Sequence, residues 1–161
     1  MNKHEKVKDL LDGFDTGMLV TRAYEGALHA RPMHVAHTDE SGDVWFLTTL
    51  TSGLTTDLAK SPRVCVTFAK SGKFLSVDGS ATTTTDRAQL ERIWSSGMKP
   101  WFPDGIETPD ICAVHISADS AEYWDNSGLQ GIKVALEIAR AVTKGERATP
   151  ESNDVHGRVS L

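Results

Sequence analysis

Apolar residues recur along this chain at two spacings, and the switches between them predict most of its elements. Over residues 3–12, KHEKVKDLLD, Val7, Leu10 and Leu11 fall at i, i+3 and i+4, the spacing of one helix face. Gly13 and the run Phe14-Asp15-Thr16-Gly17 end that helix. The period then drops to that of strands, predicted over 18–21, 28–37, 44–50, 63–69 and 74–85. Residues 28–37 and 44–50 flank the polar cluster 39–43 and read as a hairpin. Gly79, inside the long run 74–85, predicts a bulge or bend of the kind that curls a sheet. Short helices are predicted over 54–60 and over 86–95, the second with Asp86 as its N-cap and Leu90, Ile93 and Trp94 on one side. After an irregular Pro/Gly stretch, 96–110, two more strands are expected at 111–116 and 121–125.

Helical spacing returns over 131–144, where Ile132, Ala135, Leu136, Ala139 and Val142 make an apolar stripe. That stripe is expected to pack on the barrel or on a second chain, with Gly145 as C-cap. The polar tail, 146–161, is expected to be extended or partly disordered. Strands joined mainly by tight turns, with few helices between them, indicate a mainly β protein: a small β-barrel with flanking helices rather than a βαβ sheet. One domain is expected, with the barrel and first helix in 1–126 and the last helix and tail, 127–161, packed on it.

Composition narrows the partners. The chain has 161 residues, 39% hydrophobic and 24% charged, and a net charge of −5, with no basic stripe to meet nucleic acid. No apolar run approaches the roughly 20 residues that span a bilayer, so no membrane partner is expected. The first residues, MNKHEKVKDLLDGF, lack an apolar signal core, and a cytoplasmic protein is expected. Cys65 and Cys112 lie in strand-like runs and read as buried free thiols. Neither has a CxxC partner, and His29, His34 and His37 do not share one strand face, so no metal site is expected.

The candidate chemistry lies in and just after the hairpin. Arg31 stands beside Pro32, and the second strand runs into the hydroxyl-rich turn Thr48-Thr49-Leu50-Thr51-Ser52-Gly53. An arginine next to such a turn is suited to a phosphate. The plainer alternative is a sheet-edge arginine beside hydroxyls that only satisfy backbone groups. Trp101 and Phe102, in the Pro/Gly stretch, are either folded onto their own domain or form a lid over a flat ligand or partner subunit. No side chain presents itself as a catalytic acid, base or nucleophile.

An ordered set of motifs adds to this reading: ARPM at 30–33, VWFLT at 44–48, Ser52, PRV at 62–64, SVDGSA at 76–81, Asp86-Arg87, WFPDG at 101–105, Pro109-Asp110 and EYWD at 122–125. The set resembles the general-stress-protein-26 branch of the pyridoxamine 5′-phosphate oxidase-like family, and covers roughly residues 6–125. The resemblance implies a split β-barrel, a homodimer, and flavin mononucleotide (FMN) held in two clefts at the dimer interface. It implies Arg31 near the flavin's phosphate and ribityl chain, Met33 lining the flavin, and Leu47 and Thr48 offering a strand edge to the ring. It also implies that Ser52 opens the phosphate turn and that Trp101 reaches toward the cleft; read from the residues themselves, the Thr49 hydroxyl and the Gly53 amide can act as further donors in that turn. The chain departs from the pattern at Ser52-Gly53-Leu54, where the family tends to carry basic residues, with Leu54 at the lysine position. The substrate motif of true pyridoxamine-phosphate oxidases is unmatched, so vitamin B6 oxidation is not expected. Three functions stay open: a low-rate FMN-dependent oxidoreductase, a non-enzymatic flavin carrier or sensor, and an interaction module without flavin. The cofactor is accordingly FMN, flavin adenine dinucleotide (FAD) or none.

Overall fold

Asn2 starts the first helix, α1 (Lys3–Asp12), through a reciprocal cap: its side chain accepts from Glu5 N–H, and Glu5 accepts from the Asn2 N–H. The computed structural model describes residues 2–145 and 155–161. The strands that follow are β1 (Thr16–Arg22), β2 (Leu28–Thr38), β3 (Val44–Thr49), β4 (Arg63–Lys70), β5 (Lys73–Thr84), β6 (Ile111–Asp125) and β7 (His156–Ser160). Helices α2 (Gly53–Lys60), α3 (Arg87–Ile93) and α4 (Gly128–Lys144) lie between them.

All the pairings are antiparallel, in the order β3-β2-β1-β4-β5-β6, and β3 pairs with β6 to close six strands into a barrel. Alternation along β4 and β5 turns Val64, Val66, Phe68, Leu75 and Val77 into the interior. Val7, Leu10 and Leu11 of α1 join that core, as do Leu54 and Leu58 of α2. A second apolar cluster lies under α3 and the Pro/Gly stretch, where Leu90, Ile93, Met98 and Phe102 meet Trp45 and Leu47 of β3.

Three expectations need correction. Residues 111–125 form one strand, not two: its first half pairs with β3 and its second half with β7. The bulge expected at Gly79 falls on the facing strand, where pairing steps from Gly79–Ala118 to Asp78–Ser120 and leaves Asp119 extra. Gly79 makes the room for it, since a Cβ there would sit 2.2 Å from the Ser117 carbonyl oxygen. The end of the tail is not loose, because β7 pairs with β6 and Gly157 lies against Tyr123; residues 146–154 lie outside the described residues. Helix α4 ends at Gly145 in the left-handed conformation (φ 68°), as its spacing predicts. Its apolar stripe is exposed: Leu129, Ile132, Leu136 and Val142 are all more than half accessible. No described helix is long and apolar enough to cross a membrane.

Candidate functional site

The barrel is split between β2 and β3. These strands pair at Val35–Phe46, His37–Trp45 and Thr38–Val44, with Ala36 bulged, and their pairing stops there. Beyond that point β2 runs beside β1 alone, while β3 continues along β6 through Leu47, Thr48 and Thr49. Local chemistry favours the parting. Pro32 has no N–H to offer a neighbouring strand, and Val35 N–H donates to the Asp15 carbonyl at 2.9 Å.

The strands diverge around a cleft of about 220 Å³. Pro32, Met33 and His34 form one wall, Leu47, Thr48 and Thr49 the other, and Met98, Trp101 and Phe102 complete it. Phe102 is buried and meets Trp94 edge-on with ring centroids 6.4 Å apart, so this aromatic folds onto its own domain. Trp101 is 58% exposed and stacks on His34 with centroids 5.0 Å apart. Among the described residues that line the cleft, His34 contributes the imidazole.

Beyond Thr48 the wall passes into the start of α2. The Thr48 hydroxyl donates to Ser52 Oγ at 3.1 Å, and Ser52 caps the helix by accepting from Thr55 N–H at 3.3 Å. Thr55 Oγ1 donates to the Leu50 carbonyl at 2.8 Å, so these hydroxyls do serve the turn's own backbone. The first N–H groups of α2, on Gly53 and Leu54, have no partner within the helix and carry its positive dipole end. Arg31 lies over this end, with Nη2 3.5 Å from where a Cβ on Gly53 would stand. The Leu54 side chain turns away into the core with 2% exposure, so position 54 is a core position rather than part of the turn's open face.

Arg31 is not a free cation. Its Nη2 donates to Asp57 Oδ2 at 2.8 Å, and its Nη1 donates to Thr21 Oγ1, also at 2.8 Å. Asp57 Oδ2 also accepts from Thr21 Oγ1 at 2.9 Å and lies 3.0 Å from His29 Nδ1. Burial pushes the Asp57 carboxyl up. Hydrogen bonds from His29, Arg31 and Thr21, together with the Arg31 charge, outweigh burial and hold it below the ordinary carboxylate range.

Of the residues singled out by sequence, Met33, Leu47, Thr48, Thr49 and Trp101 line the cleft, while Arg31, Ser52 and Gly53 meet at the α2 end. Sequence reasoning missed His34 and the group Thr21, His29 and Asp57. One signal was present: Asp57 falls on the apolar face of α2 between Leu54 and Leu58, and a carboxylate on such a face needs a partner. A separate polar cluster, Asp39, Asp43 and His115, lies at the other end of β3. Asp43 pairs with His115 and accepts from Ala118 N–H, while Asp39 accepts from Trp45 Nε1 and Arg92 and lies against His37.

Residues 2–149 match a family model described as pyridoxamine 5′-phosphate oxidase like. Protein bli-3 of Neurospora crassa is 30% identical over 160 residues, spanning 90% of this chain and 76% of its own length. A structure from Jannaschia sp. CCS1, assigned provisionally as a general stress protein 26, superposes with a TM-score of 0.71 at 26% identity, covering 98% of this chain and 97% of that one. The general stress FMN/FAD binding protein of Xanthomonas citri gives a TM-score of 0.65 at 29% identity, covering 78% and 89%.

Proposed function

The chain belongs to the pyridoxamine 5′-phosphate oxidase-like family, and on that premise we propose that it is a split-barrel protein of the general stress type that binds a flavin such as FMN between β2 and β3. The observation that carries this reading is the parting of those strands at Val35–Phe46, which opens two strand edges onto an apolar cleft. The donor set fits a flavin. Met33 and Leu47 would offer apolar walls to a flat ring, the β3 edge at Leu47–Thr49 would offer backbone groups to the ring's polar rim, and Trp101, which lines the same cleft, would cover it. The N–H groups that open α2, with Arg31 above them, would be suited to meet a ribityl phosphate.

A bound flavin would supply hydride exchange, and the chain's part is to orient the ring and exclude water. His34 is the side chain in the cleft wall able to exchange a proton with a substrate. The Trp101 ring stacked on His34 favours a second reading, a flavin carrier or sensor without turnover. An absorbance scan and fluorescence titrations with FMN and FAD test the first claim: saturable quenching at micromolar ligand is expected, and none at millimolar ligand would overturn it. Stoichiometric flavin with no NADH or NADPH oxidation above that of free flavin would select the carrier over the oxidoreductase.

A further inference from the structure

We infer that Asp57 sets the ligand class of this cleft: by cancelling the charge of Arg31 it leaves a site that takes flavins with little regard to whether they carry a terminal phosphate. The inference rests on the flavin reading and concerns which flavins are accepted. Arg31 is a cation that the structure brings to the start of α2, and its charge is already paired with Asp57, which His29 Nδ1 also approaches at 3.0 Å. One terminal nitrogen bonds Asp57 and the other bonds Thr21, each at 2.8 Å.

Asp57 is buried and lies one helical turn beyond Gly53 on α2, so its negative charge sits behind the face a phosphate would approach. A phosphate monoester carries about −1.5 to −2 charges near neutral pH. It would meet an ion pair, with the carboxylate opposing what the guanidinium attracts. The helix dipole amounts to only about half a charge and cannot replace a free cation. Gly53 has no side chain, and Leu54 points into the core, so neither turn position adds charge. Ring contacts are the same for phosphorylated and unphosphorylated flavins. A site built this way therefore recognises the isoalloxazine ring and is largely indifferent to its tail.

The test compares dissociation constants of FMN and riboflavin for the wild-type protein and for Asp57→Asn, which keeps the side chain's size and an acceptor while removing its charge. Wild-type affinities for the two flavins are expected to lie within about tenfold of each other, where an unpaired arginine would favour FMN by about a hundredfold or more. Asp57→Asn is expected to raise FMN affinity about tenfold and leave riboflavin within about twofold. A wild-type preference for FMN of about a hundredfold would overturn the inference and needs no variant. So would a selective loss of FMN binding in Asp57→Asn, which would make Asp57 a residue that positions Arg31 for phosphate. Failure of the flavin reading has its own pattern. Neither flavin would bind, while inorganic phosphate would still raise the melting temperature of Asp57→Asn and not that of the wild type, sustaining the charge cancellation.

Discussion

At the scale of single residues, Leu54 shows how a position in a pattern differs from a position in space. The family resemblance aligns it with a phosphate-binding lysine, yet its side chain packs in the barrel core with 2% exposure. Leu54→Ala is expected to cost about 2–5 kcal/mol in urea unfolding. Leu54→Lys should cost at least as much, because it buries an ammonium without a partner; unchanged stability with tighter FMN binding would show that the position opens to the ligand. Arg31, Met33 and the Thr48–Gly53 turn were legible because each belongs to one continuous hairpin and the turn that follows it. Asp57 was not, because its meaning depends on Thr21 and His29, 36 and 28 residues away along the chain. A second buried carboxylate carries a pH prediction. Burial pushes Asp125 up, but Lys6 Nζ at 2.5 Å and bonds from Ser127 outweigh it and hold the group below its ordinary value of 3.8. A lowered value means that the folded state binds the proton less readily than the unfolded chain. Its contribution is complete above that value and is lost as pH falls through the lower, folded-state one. Asp125→Asn should therefore flatten the acid limb of a stability–pH curve without moving its neutral plateau upward. An unchanged acid limb would remove Asp125 from the account.

At the scale of elements, the helices and the core strands were legible because their apolar periodicity is local. Val7, Leu10 and Leu11 mark α1, and the alternation through Val64, Val66 and Phe68 marks β4. What was not legible depends on pairing partners. Residues 117–120, SADS, look like a break because they are small and polar, but β5 on one side carries β6 straight through them. Strand β7, HGRVS, has little apolar signal and is specified by backbone pairing with 120–124. The bulge at Asp119 joins these two features, since its carbonyl accepts from the Leu161 N–H at 3.0 Å just beyond β7. Gly79 faces that bulge, and a methyl group there would lie 2.2 Å from the Ser117 carbonyl oxygen, inside any real contact. Gly79→Ala is thus expected to cost about 1–3 kcal/mol by forcing the two strands apart, read as a lower denaturant midpoint at unchanged slope. Wild-type stability would mean that the bulge relaxes freely.

At the scale of the whole molecule, two surfaces look unfinished on one chain. The cleft holds about 220 Å³, less than the roughly 300–1,000 Å³ of pockets that enclose a small molecule. Trp101, at its mouth, leaves 58% of its surface to solvent. Helix α4 exposes Leu129, Ile132, Leu136 and Val142, a continuous apolar stripe of the sort that soluble monomers rarely present. A second copy of the chain would cover such surfaces, and twofold association brings the same patch from both partners. Each chain carries a net charge of −5, which opposes association, but at physiological salt this repulsion is screened beyond about 8 Å. Apolar burial is not screened, so association should hold or tighten as salt rises. Sedimentation at micromolar concentration is expected to give twice the chain mass of 17.5 kDa, and a single-chain mass would overturn this expectation of a dimer. The double substitution Ile132→Glu/Leu136→Glu places two carboxylates on the exposed stripe, where they should not disturb the barrel. It is expected to yield monomers with an unchanged barrel melting transition. If flavin binding falls with the dimer, the partner completes the cleft; if it persists in the monomer, the two surfaces serve separate ends and the ring is held by the β2–β3 split alone.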